Sequence, residues 1–374
     1  MDESNAMQLN SFVPSSSLPV APSLLSPHDD TTVLRGAVSA WPQTGGSDPL
    51  GRAAAQARRL GANDRSGSSR EKYARCWAQF VHWIGADDRL RSYDEVPALP
   101  AIVGLYIGSL RERKLTKATI LVHLAAIGYA HEMAGHSPPW EQSAQLKSQI
   151  RGLRREDDGD RQERGAIERE MATEVLLALP EPTSLKDIRD HFIFCLGWTT
   201  ALRRSNITAL RRRDIRIEYD TLHQRRYLDV LIRRSKTDQE GQGRHVVVTE
   251  LPGKHPLCAV RALERWLSVT DLEPDVPLVQ SVTLAREINQ RLTGNALDPK
   301  DIARAVKRLL EHAGLDATKY AAHSLRRGFA TTMQNAGVPD GVAMEHGGWK
   351  SKDTYYRYNR VDKARKNAIR DLFG

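Results

Sequence analysis

Apolar residues recur at helical spacing through most of this chain and alternate only in two short stretches. Between residues 68 and 155 the pattern predicts four helices. Ser68 and Glu71 have capping-box spacing, and Tyr73, Trp77, Phe80, Val81 and Ile84 follow on one helical face. A second helix runs from about Leu99 to Arg113, with Ile102, Val103, Tyr106, Ile107 and Leu110 inward. Thr116 caps a third, in which Ile120, Leu124, Ile127 and Ala130 face inward; it stops near Gly135 and the two prolines that follow, Pro138 and Pro139. A shorter basic helix, Ala144 to Arg155, closes a small bundle.

Around this bundle the texture changes. Residues 1–60 read as a flexible arm: the stretch rich in Ser and Pro has no sustained period and cannot bury enough surface to offset its ordering entropy. The run from Arg155 to Arg161 has no apolar residue, so 156–167 read as a linker between a domain at 61–155 and one at 168–374. In the second domain Glu168–Leu179 and Ile188–Arg213 read as helices. Arg226–Arg234 and Arg244–Glu250 read as strands flanking the polar stretch 238–243. Further helices are expected at about 257–269, 299–313, 324–336, 340–346, 351–357 and 361–372. The fold class is therefore mostly α with a small antiparallel β-hairpin or sheet, an α+β chain without internal repeats.

Charge adds a partner. The net charge is +9, and the first 60 residues hold four Lys/Arg against five Asp/Glu, so the rest of the chain carries the whole positive excess. A basic folded region suits a polyanion, because Lys and Arg that neutralise phosphates release counterions. The three cysteines, Cys76, Cys195 and Cys258, are odd in number and far apart, which argues against a disulfide framework or a Cys-rich zinc site. They fit a reducing compartment. No apolar run approaches the roughly 20 residues that span a bilayer, and no signal-peptide pattern opens the chain. The expectation is a cytoplasmic protein without membrane contact.

Four separated clusters carry candidate chemistry. Arg203 ends an apolar helix in the run Thr200-Ala201-Leu202-Arg203-Arg204-Ser205-Asn206. Lys236 sits at a strand-to-turn junction between Ser235 and Thr237. His323 and Arg326, three apart at a helix start, share one face and can meet a single phosphate. Gly347-Gly348-Trp349 is followed, nine residues after Trp349, by Tyr358. Singly these have ordinary readings: a snorkelling arginine, a solvated lysine, a chance pair, core aromatics. Their types, order and spacing together resemble the tyrosine recombinase (phage integrase) family. Its pattern is an Arg near a helix end, a Lys on a β-hairpin, His-x-x-Arg, then His or Trp nine residues before a nucleophilic Tyr. Asp187-Ile188-Arg189-Asp190 and Trp rather than His at 349 look like the Cre branch, and the N-terminal bundle resembles that family's core-binding domain. One residue departs from the pattern. Three positions past the first arginine the family usually has Glu or Asp, whereas this chain has Asn206, which offers a donor and an acceptor but no charge.

The resemblance implies a catalytic domain in which Arg203, Lys236, His323, Arg326, Trp349 and the nucleophile Tyr358 break and rejoin DNA through a 3′-phosphotyrosine, with no metal or nucleotide cofactor. It implies double-stranded DNA as partner, hence nucleoid association, and a DNA-bound tetramer assembled through the helix at 361–372. Lys114, Thr116, Lys117, Thr119 and His123, at the start of the third helix, are candidates for phosphate and major-groove contacts. Lys300, at the start of the 299–313 helix, is another. Two readings compete: a type IB topoisomerase with the same chemistry but no strand exchange, and a DNA-binding relative that has lost catalysis.

Overall fold

The computed structural model describes residue 56 and residues 67–157, 164–235, 238, 241–283 and 290–357. The chain divides into two compact units, Met1–Arg161 and Gln162–Gly374. Each encloses its own core.

The first unit is a helical bundle of α1 (Gly67–Ala86), α2 (Pro100–Glu112), α3 (Lys117–Met133) and α4 (Ala144–Arg155). Helix starts are written locally. Pro100 opens α2, where its missing N–H costs nothing. The Thr116 hydroxyl accepts from the Thr119 N–H at α3, and Ser143 accepts from the Leu146 N–H at α4 (3.1 Å). Trp77, Phe80, Ile84, Val103, Tyr106, Leu110, Ile120, Ile127 and Leu146 interlock as one apolar cluster. Inside it His131 accepts from the Ala98 N–H (2.9 Å) and donates to the Ile127 carbonyl (2.7 Å), so a buried imidazole is fully used as a strut.

The second unit begins with α5 (Arg169–Leu177), α6 (Leu185–Thr199) and α7 (Arg204–Ala209). A three-stranded antiparallel sheet follows in the order β1 (Ile215–Asp220), β2 (Arg225–Ile232), β3 (Arg244–Thr249). Then come α8 (Ala259–Ser268), the antiparallel pair β4 (Gln280–Val282) and β5 (Leu292–Ala296), α9 (Pro299–His312), α10 (Ala322–Asn335), α11 (Asp340–Gly347) and α12 (Lys352–Tyr356). Mostly helical with small antiparallel sheets, the fold is of the α+β class. Phe192, Phe194, Leu196, Leu228, Val230, Leu263, Trp266 and Leu310 are among the residues of its core. Among the described residues no helix is long and apolar enough to cross a membrane.

Three expectations need correction. The stretch 188–213 is not one helix: α6 stops at Thr199, Ala201 takes a left-handed φ of 52°, and α7 starts afresh at Arg204. The break turns the Ala201 carbonyl towards Arg326, which donates to it. Next, residues 164–167 are not linker. Gly165 N–H donates to the Lys319 carbonyl (2.8 Å), Ile167 N–H to the Ser324 carbonyl (3.0 Å), and the Trp198 indole to the Ile167 carbonyl (2.8 Å), strapping this segment across α10. Gly328 on α10 allows that approach, since a Cβ there would collide with the Ile167 backbone. Finally β1, β4 and β5 were not expected: the Ile215/Ile217 alternation of β1 is short and hidden among charges.

Candidate active site

The site is built at the end of α11. Gly348 adopts φ 67° and closes that helix, its N–H donating to the Glu345 carbonyl (3.1 Å) while Trp349 N–H donates to the Met344 carbonyl (2.9 Å). A Cβ on Gly347 would fall within the Trp349 ring, so glycine there lets the indole fold back against its own helix end. Trp349 is 5% exposed and is held between Phe329 (centroids 6.4 Å apart, stacked) and Tyr355 (5.2 Å, tilted). Over its face lies the guanidinium of Arg326, with the central carbon 3.9 Å from the ring centroid. Arg326 is 1% exposed and donates to the carbonyls of Ala201 and Gly347.

Arg203 occupies the N-cap of α7, beside the break that shapes the Ala201 carbonyl. His323 is the second residue of α10, one turn before Arg326. The residue keeps contact with solvent, yet its pKa is pushed down to about 4, first by desolvation and then by the charges of Arg326, Arg203 and Arg327. The imidazole is therefore neutral at pH 7 and can accept a proton. Arg203, His323, Arg326 and Trp349 thus share one electrostatic neighbourhood. Lys236 and Tyr358 lie outside the described residues, as does the helix expected at 361–372.

Nearby tyrosines are already committed. Tyr355 is completely buried, and burial with the nearby Asp340 charge raises its phenol pKa. The Tyr356 hydroxyl donates to Asp340. Tyr355 is thus part of the core, and Tyr356 is tied to Asp340. Arg327 likewise donates to the Arg164 carbonyl (2.8 Å), tying down the strap.

Sequence reasoning missed one contributor, Arg244, and the contact that Asn206 makes. The Asn206 side chain is buried and its amide donates to the Arg234 carbonyl (2.9 Å), anchoring the end of β2. Arg244, the first residue of β3, reaches the other way and donates to the His346 carbonyl (2.8 Å) at the end of α11. Neither is marked by periodicity. An Arg opening a strand reads as an exposed polar end.

Among the expected DNA contacts, Lys114, Thr119 and Lys300 are exposed. Thr116 is the cap of α3, and Lys117 donates to the Glu156 carbonyl (2.7 Å). His123 is a correction. It is 3% exposed and shares a hydrogen bond with the Tyr106 hydroxyl (3.0 Å), because it lies three residues after Ile120 on the core stripe and not on the outer face. On α4, by contrast, Lys147, Arg151, Arg154 and Arg155 are all exposed around a buried Leu146–Ile150–Leu153 seam.

Arg326 lies over an aromatic face, and its charge acts with those of Arg203 and Arg327 on a neutral imidazole, an arrangement suited to an anion. Comparisons give the family. The phage integrase family matches residues 169–365, and the chain belongs to that family: it is a tyrosine recombinase, an enzyme of site-specific DNA recombination. It is 28% identical over 309 residues to an integrase/recombinase XerD homolog of Selenomonas ruminantium, covering 81% of this chain and 84% of that protein. In fold it is similar to the XerH site-specific recombinase, solved in a post-cleavage complex with palindromic difH substrate. The TM-score is 0.57 at 18% identity, over 91% of this chain and 94% of that one. It is also similar to lambda integrase, solved as a dimer bound to a COC′ core site, with TM-score 0.50 at 14% identity over 84% and 77% of the two chains. These likenesses do not assign the chain to the Cre branch.

Proposed function

We propose that this recombinase exchanges strands between specific double-stranded DNA sites through a 3′-phosphotyrosine on Tyr358. The carrying observation is the positive neighbourhood of Arg203 and Arg326 around a neutral His323, with Arg326 braced on Trp349. In this reading the Tyr358 oxygen attacks the scissile phosphorus in line and His323 takes the phenolic proton. The bond from phosphorus to the 5′ oxygen breaks, and Lys236 protonates the departing 5′ hydroxyl. Arg203 and Arg326 hold the non-bridging oxygens as charge grows on them, with help from the Trp349 indole. Phosphotyrosine conserves the energy of the phosphodiester, so attack by a 5′ hydroxyl reseals the strand with neither nucleotide nor metal. Lys114, Thr116, Lys117, Thr119, the basic face of α4 and Lys300 would contact backbone and bases.

A nicked suicide substrate carrying the bound site tests this, because loss of the short 5′ fragment traps the adduct. The wild-type protein should accumulate a covalent DNA complex, while Tyr358→Phe should bind and form none. Adduct formation by Tyr358→Phe at the normal yield would overturn the assignment. Relaxation of arbitrary supercoiled DNA without exchange between paired sites would favour topoisomerase action.

A further inference from the structure

We propose that Arg244 is a positioning residue for this reaction, holding the end of α11 and so the Trp349–Arg326 pair in register with the sheet. The inference rests on the reading of Arg203 and Arg326 as phosphate ligands. No family motif marks Arg244; the geometry points to it.

The last carbonyls of a helix have no intrahelical partner and carry partial negative charge. At α11 two of these carbonyls belong to His346 and Gly347, and two guanidiniums from different elements occupy them. Arg244 Nη1 donates to His346 O (2.8 Å) and, at longer range, to Glu345 O (3.4 Å). Arg326 takes Gly347 O. The helix end thus offers an anionic dipole to two arginines that would otherwise repel each other. It also gives Gly348 a second duty. Besides its left-handed φ, a Cβ at 348 would lie 2.8 Å from Arg244 Nε, so the guanidinium packs directly on the glycine backbone.

Arg244 is also part of the positive field. Among the described residues neither it nor Arg203 forms an ion pair with a carboxylate. Burial, and then the charge of Arg203, pulls the Arg244 pKa below its usual range. A charge left unneutralised this way favours an arriving anion. Because Arg244 pairs with Ile232 across the sheet, its grip on His346 connects β2 and β3 to the turn that carries Trp349. His346 completes the brace, donating to the Thr199 carbonyl (2.7 Å) and stacking on Phe329 (5.0 Å).

Full-length wild type, Arg244→Ala and Arg244→Lys should be compared by half-site binding, by single-turnover cleavage of the suicide substrate at saturating protein, and by amide hydrogen exchange. Arg244→Ala should slow cleavage by about 10- to 100-fold, the scale of a small misplacement of reacting groups, while changing half-site affinity by no more than about threefold. Exchange at residues 345–349 should rise together with that at the start of β3. Arg244→Lys, which keeps the charge with a single donor head, should recover part of the rate. Wild-type cleavage by Arg244→Ala, a defect confined to affinity, or unchanged exchange at 345–349 would each overturn the proposal. Should wild type itself form no adduct, the recombinase mechanism fails, and exchange at 345–349 still decides whether Arg244 is the clamp.

Discussion

The guanidinium carbon of Arg326 lies 3.9 Å from the centroid of the Trp349 ring. This contact gives Trp349 a role distinct from donating its indole N–H. A cation over a desolvated indole face is stabilised by about 2 kcal/mol or more. Here the ring is itself fixed by Phe329 and Tyr355 on neighbouring elements. Arg326 is therefore held by a hydrocarbon and π platform on one side and by the Ala201 and Gly347 carbonyls at its donor end. Its position is set before any phosphate arrives, so little reorganisation remains for the reaction.

Replacing Trp349 should separate platform from donor. Trp349→Phe keeps a ring under Arg326 and loses the N–H; Trp349→Ala removes both and opens a cavity. Trp349→Ala should lose about 3–5 kcal/mol of stability and nearly all cleavage, whereas Trp349→Phe should retain measurable adduct formation. Urea unfolding and suicide-substrate cleavage check the pair. Equal cleavage defects in the two variants would mean that the N–H, not the platform, is what catalysis needs.

His323 gives a pH signature. Its folded pKa, about 4, is below the ordinary 6.5, so between these values the unfolded chain binds a proton that the folded site refuses. The stability contribution is complete above about pH 6.5 and is lost as pH falls towards 4. His323→Gln should flatten the acid limb of the stability profile in that window. A bound phosphodiester offsets the charges of Arg203, Arg326 and Arg327, so DNA binding should raise the His323 midpoint. Imidazole NMR titration of free and DNA-bound Tyr358→Phe would show this; an unchanged midpoint would remove His323 from the phosphate's neighbourhood.

Much of this architecture was legible in residue order. Thr116, Pro100 and the apolar stripes of α1 to α3 act through neighbours within a turn, so local pattern suffices. Arg203, His323, Arg326 and Trp349 were found through motif spacing, and α10 and α11 bring the last three together. What stayed hidden depends on distant partners. Ala201's left-handed turn is shaped around Arg326, 125 residues away, and His123 is buried because Tyr106 meets it. Arg244 reads as a strand end until α11 is set beside it.

Assembly can be tested through the C-terminus. Residues 361–374 lie outside the described residues, but Val361, Ala364, Ala368, Ile369, Leu372 and Phe373 place an apolar stripe in their sequence. An apolar stripe of this kind calls for burial. We propose that it docks on a neighbouring protomer in a cyclic, DNA-bound tetramer. Deleting residues 361–374 should spare half-site binding and abolish synapsis and recombination. Tetrameric complexes of the truncated protein, seen by gel shift or light scattering on paired sites, would show instead that the segment folds back on its own unit.

Asn206 supplies the sharpest contrast with the family pattern, in which an acidic residue is usual at this position. Its amide donates to the Arg234 carbonyl at 2.9 Å from a buried position. An ionised carboxylate has no proton to give, so Asn206→Asp would set acceptor against acceptor and leave a buried carbonyl unsatisfied. That loss costs about 1–3 kcal/mol. Attraction between a new carboxylate and Arg203 or another nearby arginine opposes it. Because the amide hydrogen bond starts from a buried side chain, while Arg203 is partly solvated, the hydrogen-bond term should win. Asn206→Asp should therefore be less stable than wild type at pH 7, with faster amide exchange around 233–235. The deficit relative to wild type should shrink as pH falls, because the introduced carboxyl, once protonated, regains an O–H donor for the Arg234 carbonyl. A variant that is more stable at pH 7 and cleaves faster would show that the site wants the charge after all, and that Asn206 is a compromise the chain tolerates.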